Sequence, residues 1–366
     1  MRLTCSKEDL ATVLSAVGRA ASSKSTVPVL GHILVDAQDG RVLVAATDME
    51  ISLRAPLIAT IEEAGSVVLP RLAADIVRSM SAGQVVIEHR PGEGIVSLSS
   101  GASSFTLNCH QASEFPELPP DVGDGIKLPA ATIIAATERV ARAASRDDTR
   151  PVLTGVLVRL ESNSLTMVAT DSYRLAVRRG AITNGPTEPI EALVPARALT
   201  EVQRVLTLAG VDEVELVLTD TQGILRAGEV RLTTRLIDGQ FPDYRQLIPE
   251  RFEHDLTFDR SELLGVLTRI GVLAQRNTPV RMSFREGELT VSAVSDQLGE
   301  GRETLPVPFS GEPLEIGFNV EFLRAGVHSI EGDVVRLGII SPLRPGLLRG
   351  DNDDYRYLLM PIRLSG

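Results

Sequence analysis

Apolar and polar positions along the chain switch repeatedly between a period of two and a period near 3.6. Ser6 precedes Leu10, Val13, Leu14 and Val17, which fall at i, i+3, i+4 and i+7. That spacing predicts a helix with Ser6 as its N-cap. A second helical pattern follows Pro70, with Ile76, Val77 and Met80 on one side. Alternating runs at 85–88, 95–98 and 104–107 read as strands. Further helical segments are predicted near 130–145, 196–209, 260–274 and 319–329.

The same order of patterns returns along the chain. Val27-Pro28-Val29-Leu30 leads into an apolar strand, a turn at Asp39-Gly40, a second strand and Thr47-Asp48. Arg150-Pro151-Val152-Leu153 leads through a turn at Ser162-Asn163 to Thr170-Asp171, and proline and threonine are 19 residues apart in both copies. A weaker copy runs from Thr278-Pro279-Val280 to Ser295-Asp296. Phe115-Pro116 and Phe241-Pro242 close the first two units. An apolar run also precedes a helical stretch at Val67-Val68-Leu69-Pro70, Ala192-Leu193-Val194-Pro195 and Ile316-Gly317-Phe318-Asn319. These three landmarks in one order predict three homologous domains, 1–124, 125–251 and 252–366, each with two helices packed on antiparallel sheets in an α+β fold.

Length and composition narrow the chemistry. The 366 residues are 43% hydrophobic, contain no long uncharged apolar run, and become charged at once after Met1. Those features predict a cytoplasmic chain without a membrane span. Cys5 and Cys109 are expected to be buried reduced thiols, and the five histidines form no close-spaced ligand pair, so neither metal nor other cofactor is expected. Net charge is −11, yet the helix windows with their turns hold 16 Lys/Arg against 9 Asp/Glu, while the remainder holds 21 against 39. Helices facing one way would present a positive surface suited to phosphates. With 4% aromatics and no Trp, base stacking on single strands is disfavoured, and no helix-turn-helix or zinc-finger pattern is present. The predicted contact is sequence-independent, with the backbone of a DNA duplex.

The repeat, Ala169-Thr170-Asp171-Ser172-Tyr173-Arg174-Leu175-Ala176-Val177, Leu236-Ile237-Asp238-Gly239-Gln240-Phe241-Pro242-Asp243-Tyr244, Glu315-Ile316-Gly317-Phe318-Asn319-Val320 and the Met360-Pro361-Ile362-Arg363-Leu364 terminus together resemble the bacterial sliding-clamp family, the beta subunits of DNA polymerase III. The resemblance covers the whole chain. It implies three DNA-clamp domains per chain in a head-to-tail homodimeric ring, helices around the hole and sheets at the rim, that encircles duplex DNA and tethers a replicative polymerase. It implies no catalysis; a separate loader opens the ring, in keeping with the absence of a phosphate-binding Gly-rich loop here. Its partners would be the polymerase, the clamp loader, and repair and mismatch proteins carrying short motifs, often a glutamine followed by leucine and phenylalanine.

Carried over residue by residue, the resemblance assigns a partner-peptide groove to Leu153, Thr170, Ser172, Tyr173, Arg174, Leu175, Pro242, Gln246, Leu247, Asn319, Phe322, Leu358, Leu359, Met360, Pro361, Ile362 and Arg363. Arg174, Arg363 and Asn319 would satisfy polar groups of an extended peptide, and the leucines and Met360 would line an apolar slot. DNA-binding positions would be Lys24, Arg71 and Arg150, with Arg78, Arg142, Arg197 and Arg204 on helix faces. Phe105 and Leu107 would meet Val272 and Leu273 of a second copy. The chain departs from the family in carrying Ser172-Tyr173 where Gly-His is frequent. Two other readings compete: a hydrolase using Asp48, Asp171 and Asp296 as repeated acids, and a scaffold that binds no DNA. Against the hydrolase, catalytic acids seldom recur three times, and the local reading of Thr47-Asp48 and Thr170-Asp171 is a plain turn cap.

Overall fold

The computed structural model describes residues 1–22, 25–81, 83–274, 278–295 and 297–364. Ser6 caps the helix Lys7–Val17, its hydroxyl accepting the Asp9 N–H at 3.0 Å, and Leu10, Val13, Leu14 and Val17 are buried as their spacing predicts. The helix Leu72–Ser79 packs against it. In the third repeat the corresponding pair is Arg260–Gly271 and Val320–Ser329, capped by the Asp259 carboxylate and the Asn319 amide oxygen. The middle repeat has Ala130–Val140 and a second segment broken at Thr200-Glu201 into Ala196–Leu199 and Val202–Ala209. The pattern over 196–209 read as one helix. Glu201 at the break is buried and takes Arg19 and Arg204 as ionic partners. A single turn at Pro151–Thr154 went unpredicted, since four residues are too few to show a period.

The chain groups into two compact units: Met1–Ile134 with Glu161–Asn163 and Ile182–Asp238, and Ala135–Leu160 with Ser164–Ala181 and Gly239–Gly366. The first unit holds a sheet in the order Ala59–Glu63, Arg2–Ser6, Gln84–His89, Ile95–Ser100, Ser103–Asn108. It also holds a longer sheet in which Ile126–Pro129, Glu213–Leu218, Gln222–Ala227 and Val230–Arg235 continue into Ile51–Leu57, Arg41–Thr47, His32–Gln38 and Gly65–Pro70. The second unit has Gly155–Glu161, Ser164–Thr170 and Arg174–Ala181 continuing into Tyr355–Leu359, Gly346–Arg349, Val334–Ile339 and His254–Asp259. Its other sheet runs Gly299–Pro306, Glu288–Ser295, Val280–Arg285, Leu314–Phe318.

The middle repeat therefore contributes to both units, because each repeat joins its neighbour strand to strand. At the first junction Thr233 lies opposite Ser52 and Leu232 opposite Leu53. At the second, Leu358 lies opposite Leu175 and Tyr357 opposite Ala176. Ladder hydrogen bonds thus run unbroken across each boundary and leave no free edge there. Among the described residues, two strands at the ends of sheets, Ser103–Asn108 and Gly299–Pro306, have no equivalent neighbour.

Cys5 is buried and burial pushes its thiol up to about 12, while Cys109 is only half-buried, a correction to the expectation of two buried thiols; neither is bridged. No helix among the described residues is long and apolar enough to cross a membrane. No group of three or more His, Cys, Asp or Glu among them is arranged to hold a metal ion.

Candidate functional site

In the second unit, the strand Ser164–Thr170 turns into Arg174–Ala181 through a loop built by two side chains. The Thr170 hydroxyl donates to the Arg174 carbonyl at 2.7 Å and accepts the Ser172 N–H at 3.1 Å. The Asp171 carboxylate accepts the Tyr173 and Arg174 N–H groups at 2.9 and 3.0 Å. Both Asp171 and its counterpart Asp48 are therefore turn caps, as the local reading has them; Asp296 lies outside the described residues. The loop puts Ser172 at φ 78, a left-handed conformation that glycine adopts freely. The chain then runs along the C-terminal strand, and the Met360 N–H donates to the Tyr173 carbonyl at 2.8 Å.

Thr170 to Leu175, Leu358 to Ile362 and Asn319 to Phe322 are brought together directly. Leu175 and Leu358 share a core with Val168, Tyr244 and Leu347. With Leu359 they are buried, so they form a floor and present little surface themselves. The exposed apolar groups on this face of the sequence-predicted set are Tyr173, Leu247, Met360 and Ile362. Pro242, Gln246 and Leu247 flank Tyr244, which ties their segment to the floor; Gln246 is held by Asp243 at 2.7 Å. Past Pro361 the Ile362 N–H donates to the Gly317 carbonyl at 2.8 Å. A Cβ at Gly317 would stand 2.9 Å from the Ile362 carbonyl oxygen, so the C-terminal segment lies this close to the strand over a glycine. Arg363 is exposed.

Arg174 does not wait for a ligand as the sequence reading supposed. Its Nε donates to Asp171 at 3.0 Å, an Nη donates to the Arg142 carbonyl, and the guanidinium lies 4.2 Å over the Phe322 ring. Burial works against its charge, but Tyr357 and Asp171 outweigh that and raise its pKa. The Asn319 amide oxygen is likewise committed, capping its helix at the Phe322 N–H. Sequence reasoning missed the supports behind these groups: Asp171, the Arg142 carbonyl, Gly317 and Tyr357. The Tyr357 hydroxyl donates to the Phe322 carbonyl at 3.0 Å, and burial pushes its phenol up to about 12 against the pull of Arg174. Only the aromatic-rich Tyr355-Arg356-Tyr357 run hinted at such a post.

Leu153 is half-buried in its helical turn and linked to the loop through Arg150, whose Nη1 donates to the Ser172 hydroxyl at 3.1 Å. Among the DNA candidates, Lys24 lies outside the described residues. Arg71 and Arg142 are exposed. Arg78 pairs with Asp75, Arg150 with Asp147, Arg197 with Asp48 and Arg204 with Glu201. Four of the candidates would therefore have to exchange a carboxylate for a phosphate, which reduces the positive surface that the bare count of arginines suggests. Phe105 and Val272 are exposed, and Leu107 and Leu273 are intermediate.

Three repeats welded through shared sheets, each with a helix pair, and an apolar groove closed by the chain's own C-terminal strand define a protein of the DNA-clamp class. The descriptions of the DNA polymerase III beta subunit match residues 1–119 (N-terminal domain), 127–243 (central domain) and 245–363 (C-terminal domain). The chain is 34% identical over its full length and that of the relative to the beta sliding clamp of Streptomyces coelicolor, and 30% identical to that of Bacillus subtilis over 99% of this chain and all of the relative. It superposes on the whole of a sliding clamp from Bartonella birtlesii bound to griselimycin with a TM-score of 0.91 at 29% identity, and on the Bacillus subtilis clamp with 0.89 at 29%. The chain belongs to the DNA polymerase III beta subunit family, the bacterial sliding clamps.

Proposed function

We infer that the chain is a sliding clamp: a non-catalytic processivity factor that encircles duplex DNA as a head-to-tail homodimer and tethers the replicative polymerase, the clamp loader and repair and mismatch proteins in the bacterial cytoplasm. The three repeats, bounded at 1–124, 125–251 and 252–366, are its domains. The observation that carries this reading is the pair of unmatched strands, Ser103–Asn108 and Gly299–Pro306. Val230–Arg235 and Tyr355–Leu359 hold the place in their repeats that Ser103–Asn108 holds in the first, and each pairs with the preceding repeat. The same junction made with a second copy pairs these two strands and closes the assembly.

Counting along the two intramolecular junctions sets the register of the third. Leu232 opposite Leu53 and Tyr357 opposite Ala176 translate to Phe105 opposite Gly301. Leu273 fills the space that a Gly301 side chain would need, its Cδ1 2.7 Å from that Cβ position. Phe105 thus has Leu273 as its apolar neighbour across the interface.

Arg71, Arg78, Arg142, Arg150, Arg197 and Arg204, with Lys24, are the phosphate contacts in this reading. Weak exchangeable contacts suit sliding, since encirclement and not affinity retains the ring. The groove takes an extended motif on Tyr173, Leu247, Met360, Pro361 and Ile362, with Pro242, Gln246 and Arg363 at its rim. The clamp from Bartonella birtlesii bound to griselimycin supports a ligand-binding role for the fold. The experiment is retention on nicked circular DNA with release on linearisation, alongside the native mass. Equal retention on linear DNA with free ends would exclude encirclement. A Ser104→Cys, Arg302→Cys chain that forms no oxidised dimer would exclude the register.

A further inference from the structure

The segment 142–153 carries two sets of groups that the function treats separately. Arg142, Arg146 and Arg150 are exposed and basic. The same segment folds back to present Leu153: Ser145 N–H donates to the Leu153 carbonyl at 2.8 Å, Leu153 N–H to the Arg150 carbonyl at 3.0 Å, and Arg150 N–H to the Asp147 carbonyl at 3.1 Å. Two further bonds tie it to the groove loop. Arg174 reaches the Arg142 carbonyl, and the Arg150 side chain reaches Ser172 while its Nε holds Asp147 at 3.1 Å. The basic segment and the wall of the groove are one piece of chain.

We propose that Arg150 couples nucleic-acid binding to the peptide groove: a DNA phosphate that engages Arg150 withdraws it from Ser172 and weakens peptide binding, and a bound peptide weakens that phosphate contact in return. The proposal rests on the clamp reading above. An anionic phosphate competes well for a guanidinium, because charge-assisted bonds exceed the bond to a neutral hydroxyl. Arg150 is exposed, and its ion pair is with Asp147 on the same segment, where a phosphate can replace the carboxylate, whereas Arg174 is held by Asp171 and Phe322. Ser172 sits at φ 78, a conformation that costs a non-glycine residue energy and persists only while its surroundings hold it. Losing the Arg150 donor loosens that loop, and a peptide laid along Tyr173 must then order it again. The effect is reciprocal because the two affinities share one coupling free energy.

The test uses the full-length protein, a labelled synthetic peptide containing glutamine, leucine and phenylalanine, and a short blunt DNA duplex at low salt. The quantity read is the ratio of the peptide Kd with saturating duplex to the Kd without it. The wild-type ratio is expected to be roughly two to ten, the range set by one hydrogen bond of ordinary net worth. In Ser172→Gly, whose backbone suits the loop, and in Arg150→Gln, the ratio is expected to fall to one whatever the absolute affinities. A wild-type ratio of one, with duplex binding weakened by Arg150→Gln, overturns the coupling alone. A ratio that persists in Ser172→Gly also overturns it, and marks duplex and peptide as direct competitors. Duplex binding unchanged by Arg150→Gln overturns the role of Arg150 in DNA contact and the coupling with it.

Discussion

The turn at Thr47-Asp48 in the first unit and the turn at Thr170-Asp171 in the second are copies of one device. Each threonine hydroxyl donates to the carbonyl four residues on, and each aspartate accepts the N–H groups two and three residues on. Each turn has a non-glycine residue at positive φ, Met49 at 75 and Ser172 at 78. Each is followed by a strand that pairs with the next repeat, and the Arg235 N–H donates to the Glu50 carbonyl just as Met360 donates to Tyr173. The backbone is shared; the side chains are not. Ser52 and Thr233 stand opposite each other at the first junction where Leu175 and Leu358 stand at the second. Around Ser52 the groups satisfy one another, Thr47 and Ser52 hydroxyls lying 2.8 Å apart. The linker of the first junction is pinned by Asp121, which binds Arg54, Arg226 and Arg231. Burial pushes that carboxyl up, but Arg226 and Arg231 together hold it below its ordinary range. At the second junction the linker position equivalent to Asp121 is Leu247, exposed and apolar. One duplicated frame was finished as a polar clasp and the other as an apolar groove.

The largest test of that contrast is to give the second junction the residues of the first. Leu175→Ser with Leu358→Thr is expected to abolish peptide binding. It should also lower stability by on the order of 5 kcal/mol, given about 2–5 for each buried leucine truncation and incomplete additivity between neighbours. A shift in denaturant midpoint at constant slope measures it. A loss under about 1 kcal/mol would show that the apolar floor is not what distinguishes the two sites.

How much of this was legible follows from the range of each signal. The Ser6 cap and the Leu10, Val13, Leu14, Val17 stripe are local, so the sequence displays them directly. The Thr-Asp copies were visible as a repeat, and the frequent family glycine at position 172 agrees with its positive φ. What stayed hidden depends on distant partners. Nothing adjacent to Arg174 announces that the Arg142 carbonyl and the Phe322 ring will occupy its guanidinium. The ion pairs Arg197–Asp48 and Arg19–Glu201 join residues far apart in sequence, so an arginine count cannot see that its charges are partly spent. The sharing of sheets between repeats was also invisible, because a strand's pattern states which face is buried and not which edge is paired.

Exchanging the residue after each turn sharpens the contrast at an intermediate scale. Arg174→Ile installs the residue found at Ile51. It takes the guanidinium from Asp171 Oδ2, while Oδ1 keeps the Tyr173 and Arg174 N–H groups, removes the donor from the Arg142 carbonyl, and should cost about 2–4 kcal/mol together with the Phe322 contact. At the first turn the carboxylate partner comes from another repeat, and Arg197→Ala should cost less, about 1–2 kcal/mol, since half of that arginine is exposed. Equal losses would mean that burial at the two turns does not differ in effect. Tyr357→Phe probes the post beneath Phe322 and should cost about 0.5–1.5 kcal/mol for the lost hydroxyl bond, the Phe322 carbonyl remaining within the helix Val320–Ser329. The wild-type phenol is protonated in the fold up to about 12, above its ordinary value near 10. Its stabilisation is therefore present below the ordinary pKa and lost as pH rises through the folded one. Denaturant melts at rising alkaline pH should show a shallower decline for Tyr357→Phe than for the wild type.

The smallest effect separates strain from function at the two turns. Met49→Gly removes the left-handed penalty of about 1–2 kcal/mol, offset by about 0.5–1 for glycine's freedom in the unfolded chain, so a net gain near 0.5 kcal/mol is expected. Ser172→Gly relieves the same backbone but gives up the hydroxyl that Arg150 binds. Its gain should be smaller than that of Met49→Gly or vanish, as read by paired thermal melts at equal salt. A larger gain at Ser172 would mean that the Arg150 bond contributes nothing to holding the loop. The two turns would then differ only in the apolar floor beneath one of them.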